Sequence, residues 1–167
     1  MTKAELLARQ IDDTRAWTLA LLEDFADGDW TFQPRAGMAH ALWLCGHLAV
    51  AQDTLVHVRC LGGESVLDPS FSAHFPIGAP VPSAAEHDYP SVRDVLDTMA
   101  AVHEKTLAAV RSMSEALLAE PAYGKDGSTH PHYRDKAGAV CHCSRHEAFH
   151  AGQIASIRGL LGKPFLR

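Results

Sequence analysis

Apolar and small positions recur along the first part of the chain at Leu7, Ile11, Thr14, Thr18, Leu21 and Phe25, three and four residues apart. That period is one face of an α-helix, and Thr2 followed by Glu5 is a capping box at its start. The spacing predicts a first helix over about residues 3 to 26, ended by the turn formers Asp27, Gly28, Asp29, Pro34 and Gly37. Leu44, Leu48, Ala51, Leu55 and Val58 form a second stripe, running to about Leu61 and stopped by Gly62 and Gly63. Ser91 caps a third helix with Asp94 in its first turn, and Val95, Met99, Val102, Thr106, Val110, Met113 and Leu117 supply its buried face before Pro121. A last helix is expected from about Ala137 to Leu161, stopped by Gly162 and Pro164.

Between the second and third helices, residues 62 to 90 contain Pro69, Pro76, Pro80, Pro82 and Pro90. This stretch far exceeds the roughly 2 to 8 residues of an ordinary helix–helix loop, and reads as a crossover or a flexible, functional lid where substrate-binding residues are to be sought. A second irregular stretch, residues 120 to 136, precedes the last helix. No alternating run marks a strand and no internal repeat is present. The expected fold is therefore all-α: a four-helix bundle with a long crossover between helices 2 and 3, in one domain over residues 1–167.

Composition narrows the function. A chain of 167 residues that is 47% hydrophobic has the material for one sizeable core. Its formal charge of −5 is spread without a basic stripe, which argues against a nucleic-acid partner. No apolar run approaches the roughly 18 residues of a membrane span, and the amphipathic start MTKAELLARQ is unlike a signal peptide, so a cytoplasmic protein is expected. Cys45, Cys60, Cys141 and Cys143 are too sparse for a disulfide scaffold and are expected to be reduced. C-x-C on a helix sends the two sulfurs to opposite sides, and Cys143 reads as a small buried hydrophobe. Histidine is the outlier, with 11 residues.

The informative segment runs from Arg145 to Gln153, because the interior stripe of the last helix reads Cys143, His146, His150, Ile154, Ile157, Leu161. Two histidines thus interrupt an apolar stripe four residues apart, one turn above each other, where both imidazoles can reach a common atom. His47, three residues after Leu44 and at the edge of its helix's stripe, can complete a three-histidine site. Alone on an apolar face, a histidine is more often a packed residue bonded to a carbonyl, and His47 by itself carries that reading. An interior pair at i and i+4 is harder to satisfy without an ion. Neutral imidazoles suit one divalent zinc, nickel, copper or ferrous ion, and three protein ligands leave a position open for water or substrate.

The stretch His146–His150 also spells the zinc-peptidase pattern H-E-x-x-H, whose glutamate is a general base. That class needs a further ligand downstream, and after His150 the chain has no His, Asp, Glu or Cys. Glu147 is retained as a general-base candidate, with a solvated or packing role preferred by its angular offset from His146. His142 reads first as a surface residue, then as a hydrogen-bond partner behind the ligands, then as a fourth ligand; Gln153 has similar standing as a polar orienter of His150. His40, His57, His74, His87, His103, His130 and His132 receive no role.

Two segments, Trp43-Leu44-Cys45-Gly46-His47-Leu48-Ala49 and His146-Glu147-Ala148-Phe149-His150-Ala151-Gly152-Gln153-Ile154, resemble the DinB-like bundle proteins. The likeness extends to Arg158-Gly159-Leu160-Leu161-Gly162, to Trp17 and Leu21, to the crossover and to Pro90-Ser91. It implies a four-helix bundle, a metal on the three matching histidines, and a homodimer. It also implies thiol-dependent transfer to a small electrophile with a low-molecular-weight thiol as cosubstrate, a metal-dependent hydrolase, or a stress-related metal-binding protein without catalysis. Fold membership does not choose among these.

Overall fold

The computed structural model describes residues 1–166. Its helices run in the order α1 (Lys3–Leu22), α2 (Ala41–Asp53), α3 (Pro69–Ala73), α4 (Val92–Arg111), α5 (Glu115–Ala119) and α6 (Lys136–Leu160). A 3-10 turn at Asp27–Asp29 follows α1, and a π-helical turn at Thr54–Val58 continues α2. The four long helices form the bundle: α1 and α2 each pack on both α4 and α6, so α1 and α2 face each other across its axis. Among the described residues no helix is long and apolar enough to cross a membrane.

The ends of the elements follow from hydrogen bonds that a hydrophobic pattern does not report. At the start of α1, Glu5 N donates to Thr2 Oγ1 and Thr2 N to Glu5 Oε2, the reciprocal pair of a capping box. The helix ends at Leu22, not near residue 26, because the Asp29 carboxylate accepts from Ala26 N and starts the 3-10 turn. The second helix ends in a wide turn in which Arg59 N donates to Thr54 O and Leu61 N to Val56 O, five residues back. The expected third helix is two: α4 stops at Arg111, and Ser114 Oγ accepts from Leu117 N to open α5. Gly162, at φ +72°, ends the last helix, where the left-handed conformation suits glycine.

Nine consecutive residues of α2, Ala41 to Ala49, are buried, so this helix has no solvent face over its first turns. The cover on its outer side is the crossover itself. Asp53 accepts from Ser65 Oγ and Val66 N, Val81 N donates to Gly37 O, and Phe75 is only 1% exposed. The segment expected to be a flexible lid is therefore a packed strap, held by a buried carboxylate at one end and a buried ring in the middle.

Phe75 fits because residue 46 is glycine: a Cβ there would lie 2.2 Å from two carbons of the ring. Gly46→Ala is expected to destabilise the protein by about 1–3 kcal/mol, since the ring must leave its seat or the helix must shift. Thermal denaturation checks this, and an unchanged midpoint would show that the strap does not lean on α2 as described.

One level of the bundle core carries a network of buried polar and charged side chains. Arg15, on the buried face of α1, sends Nε and Nη2 to the Glu147 carboxylate of α6 at 2.6 and 3.2 Å. Its Nη1 donates to Met99 O of α4 at 3.0 Å, and its Nη2 also reaches Gln52 Oε1 of α2 at 3.3 Å. Gln52 in turn meets His103 Nδ1, and His103 Nε2 meets Asp12 Oδ1 at 3.0 Å. With the Gln52 amide donating to Nδ1, the His103 proton sits on Nε2 and donates to Asp12. One guanidinium thus ties together all four long helices.

Candidate metal centre

His47 comes from the middle of α2, and His146 and His150 from successive turns of α6, which packs against α2. Their Nε2 atoms point at one another: His47 to His146 is 3.2 Å and His146 to His150 is 3.0 Å. A donor nitrogen from each of the three lies within 4.8 Å of the others. Bonds of about 2.0–2.1 Å at tetrahedral angles place ligand nitrogens roughly 3.3 Å apart, close to the two edges that meet at His146.

Proton accounting favours a cation in this triangle over hydrogen bonds within it. Gln153 Oε1 accepts from His150 Nδ1 at 2.6 Å, which fixes the proton of that neutral ring on Nδ1 and leaves Nε2 with a bare lone pair. His146 Nε2 faces two nitrogens and has at most one proton to offer them. Burial holds the His47 imidazole down to about 4 and that of His146 down to about 3, with the neighbouring His150 adding to both; burial also lowers His150. All three are neutral at pH 7 and present the form that ligates metals. His47 is oriented by stacking on Trp43, ring centroids 4.8 Å apart, while its buried Nδ1 has no hydrogen-bond partner.

The residues around the triangle divide differently from their sequence pattern. His142 sits one turn before His146, half-buried, with ring centroids 5.6 Å apart, and does not join the three nitrogens. Glu147, only 2% exposed, turns toward α1 and gives both carboxylate oxygens to Arg15. It is neither solvated nor on the wall of the cavity beside the histidines, so its geometry is that of a core ion pair and not of a base facing substrate. Cys45, Cys60 and Cys143 are buried free thiols, pushed up by burial to about 12 for Cys45 and Cys60 and higher still for Cys143. They remain protonated and unreactive.

A cavity of about 280 Å³ opens beside the triangle, and His47 and His146 form part of its wall. One side is aliphatic, from Val50, Ala51, Leu55 and Ile77; the other is aromatic, where Tyr133 lies between His130 and His142. Arg59 and Lys125 complete the lining with Thr54. Of the 62–90 stretch only Ile77 lines the cavity, whereas the 120–136 stretch supplies Lys125, His130 and Tyr133. Sequence periodicity missed these residues because they lie in irregular backbone. The clustering of His130, His132 and Tyr133 was the available signal.

Comparison with known proteins places the geometry in a family context. Residues 10–154 match the profile of the DinB superfamily. A crystal structure described as the conserved protein of locus from Enterococcus faecalis is similar in fold, with a TM-score of 0.76 over 98% of this chain and 99% of that one, at 15% identity. No curated protein matches the sequence.

Proposed function

The chain belongs to the DinB superfamily, and from that premise we propose that it is a metal-dependent enzyme that transfers a small thiol to an electrophile, with one divalent ion on His47, His146 and His150. The observation that carries the reading is the convergence of three neutral Nε2 atoms, with no fourth protein ligand among the described residues, beside an open cavity that His47 and His146 line. A purely structural site would normally be closed by four protein ligands. When bound, a zinc, nickel or ferrous ion supplies Lewis acidity, which lowers the pKa of a thiol or water within its reach.

The chain's own residues do the rest. Gln153 holds His150 in the tautomer that aims its lone pair at the site, and Trp43 fixes the plane of His47. The aliphatic wall keeps water from one side of a bound molecule, and Tyr133 with its flanking histidines offers a planar face to the other. With every cysteine either buried or outside the cavity lining, the nucleophile in this reading comes from a cosubstrate.

The deciding experiment pairs low-molecular-weight thiols with small electrophiles and runs ester and amide hydrolysis alongside. Metal-dependent loss of electrophile only in the presence of thiol is the expected result. Turnover without thiol would make the protein a hydrolase, and activity unchanged in His47→Ala would remove the metal from either reaction.

A further inference from the structure

Buried cations in this chain are paired. Arg15 is held by Glu147, Lys136 by Glu120 at 2.8 Å, and Arg158 by Asp24. Arg59, half-buried, and Lys125, exposed, both line the cavity beside the histidines; no carboxylate lines it with them, and neither makes an ion pair among the described residues. In a chain of net charge −5, this is a local excess of positive charge in a concave, partly apolar space, where field lines are focused and an anion is drawn in. The same two residues also line a neighbouring depression of about 470 Å³ bordered by Gly62, Gly63 and Tyr123. They therefore stand where the cavity continues away from His47 and His146.

We propose that the cavity selects small molecules bearing an acidic group, which Arg59 and Lys125 hold while the remainder lies along the aliphatic and aromatic walls toward His47 and His146. This deepens the reading of the cavity as the cosubstrate site, and rests on it. A fork of guanidinium donors and an ammonium group suit a carboxylate or a phosphate alike. A thiol with a neutral or cationic tail lacks this anchor, and a cationic one meets repulsion from both residues.

Calorimetric titration of the metal-loaded protein with 3-mercaptopropionate, 2-mercaptoethanol and 2-aminoethanethiol tests the proposal, with propionate and inorganic phosphate as anions lacking sulfur. The carboxylate thiol is expected to bind about tenfold or more tightly than 2-mercaptoethanol, the worth of a charge-assisted contact. Added salt should narrow that gap, and Arg59→Gln with Lys125→Gln should abolish it while leaving 2-mercaptoethanol binding unchanged. Propionate against phosphate shows which acid the pair prefers. Equal affinity for the thiols, or a gap that survives both salt and the double substitution, overturns the proposal. If 3-mercaptopropionate binds no better than propionate, yet both depend on Arg59 and Lys125, the acidic anchor stands and the thiol reading fails. Failure of every probe to bind overturns both.

Discussion

Protein purified without a histidine tag is expected to carry about one divalent ion per chain, and the His47→Ala, His146→Ala, His150→Ala triple variant essentially none. The expectation follows from the proton count: His146 Nε2 lies 3.0 and 3.2 Å from two other ring nitrogens, one of which holds its lone pair toward it by virtue of Gln153. Elemental analysis of wild type and variant decides the matter, and equal metal in both would dismiss the site. The ranking among single variants is sharper. His150→Ala should cost more affinity than Gln153→Ala, for which the loss of an orienting partner predicts about 10- to 100-fold. His142→Ala should cost least, since its ring stands apart from the three nitrogens. Metal at 100 times its dissociation constant should also stabilise the fold by about 2.7 kcal/mol. That gain should vanish in the triple variant.

Arg15→Ala and Glu147→Ala are each expected to destabilise the protein by about 3–5 kcal/mol, because either leaves a buried charge without its partner. At about 2–4 °C per kcal/mol for a chain of this size, the melting midpoint should fall by roughly 6–20 °C. Arg15 should be the worse loss, since Met99 O and Gln52 also lose a donor. The double replacement Arg15→Met, Glu147→Met removes both charges and is expected to recover most of the stability. It also separates packing from catalysis at Glu147. A double variant that folds, keeps its metal and retains turnover agrees with an ion pair confined to the core. Loss of turnover alone, with fold and metal intact, would return Glu147 to the reaction.

The same pair shows where reading the sequence stopped. The buried positions of α6 include Cys143, Glu147, His150, Ile154 and Ile157, alternating by four and three, and those of α1 include Ala4, Ala8, Ile11, Arg15, Thr18 and Leu22 in the same rhythm. Choosing only apolar or histidine positions displaced the α6 stripe to His146, which is half-buried at its edge, and replaced Arg15 by the half-buried Thr14. Two charges of opposite sign, each in perfect interior register on a different helix, were the legible but unread signal. The helical class and the long crossover were legible because they depend on periodicity and proline content, which are local. The division of the third helix at Ser112 to Ser114, the burial of Phe75 against Gly46, and the arrival of Lys125 and Tyr133 on the wall of the cavity that His146 also lines depend on contacts distant in sequence, which no local pattern encodes.

The wide turn at Thr54–Val58 holds one residue more than an α-helical turn would need, and Arg59 is the first residue after it. A wide turn spreads about one revolution over that extra residue, so deleting one residue within it would let the helix close regularly while everything beyond it keeps nearly the same facing. Arg59 would then stay on the cavity wall, and His47, almost two turns upstream, would keep its place as well. A single-codon deletion here is thus one the helix can absorb, whereas the same deletion in the regular turns between His47 and Thr54 would turn Arg59 about 100° from the cavity.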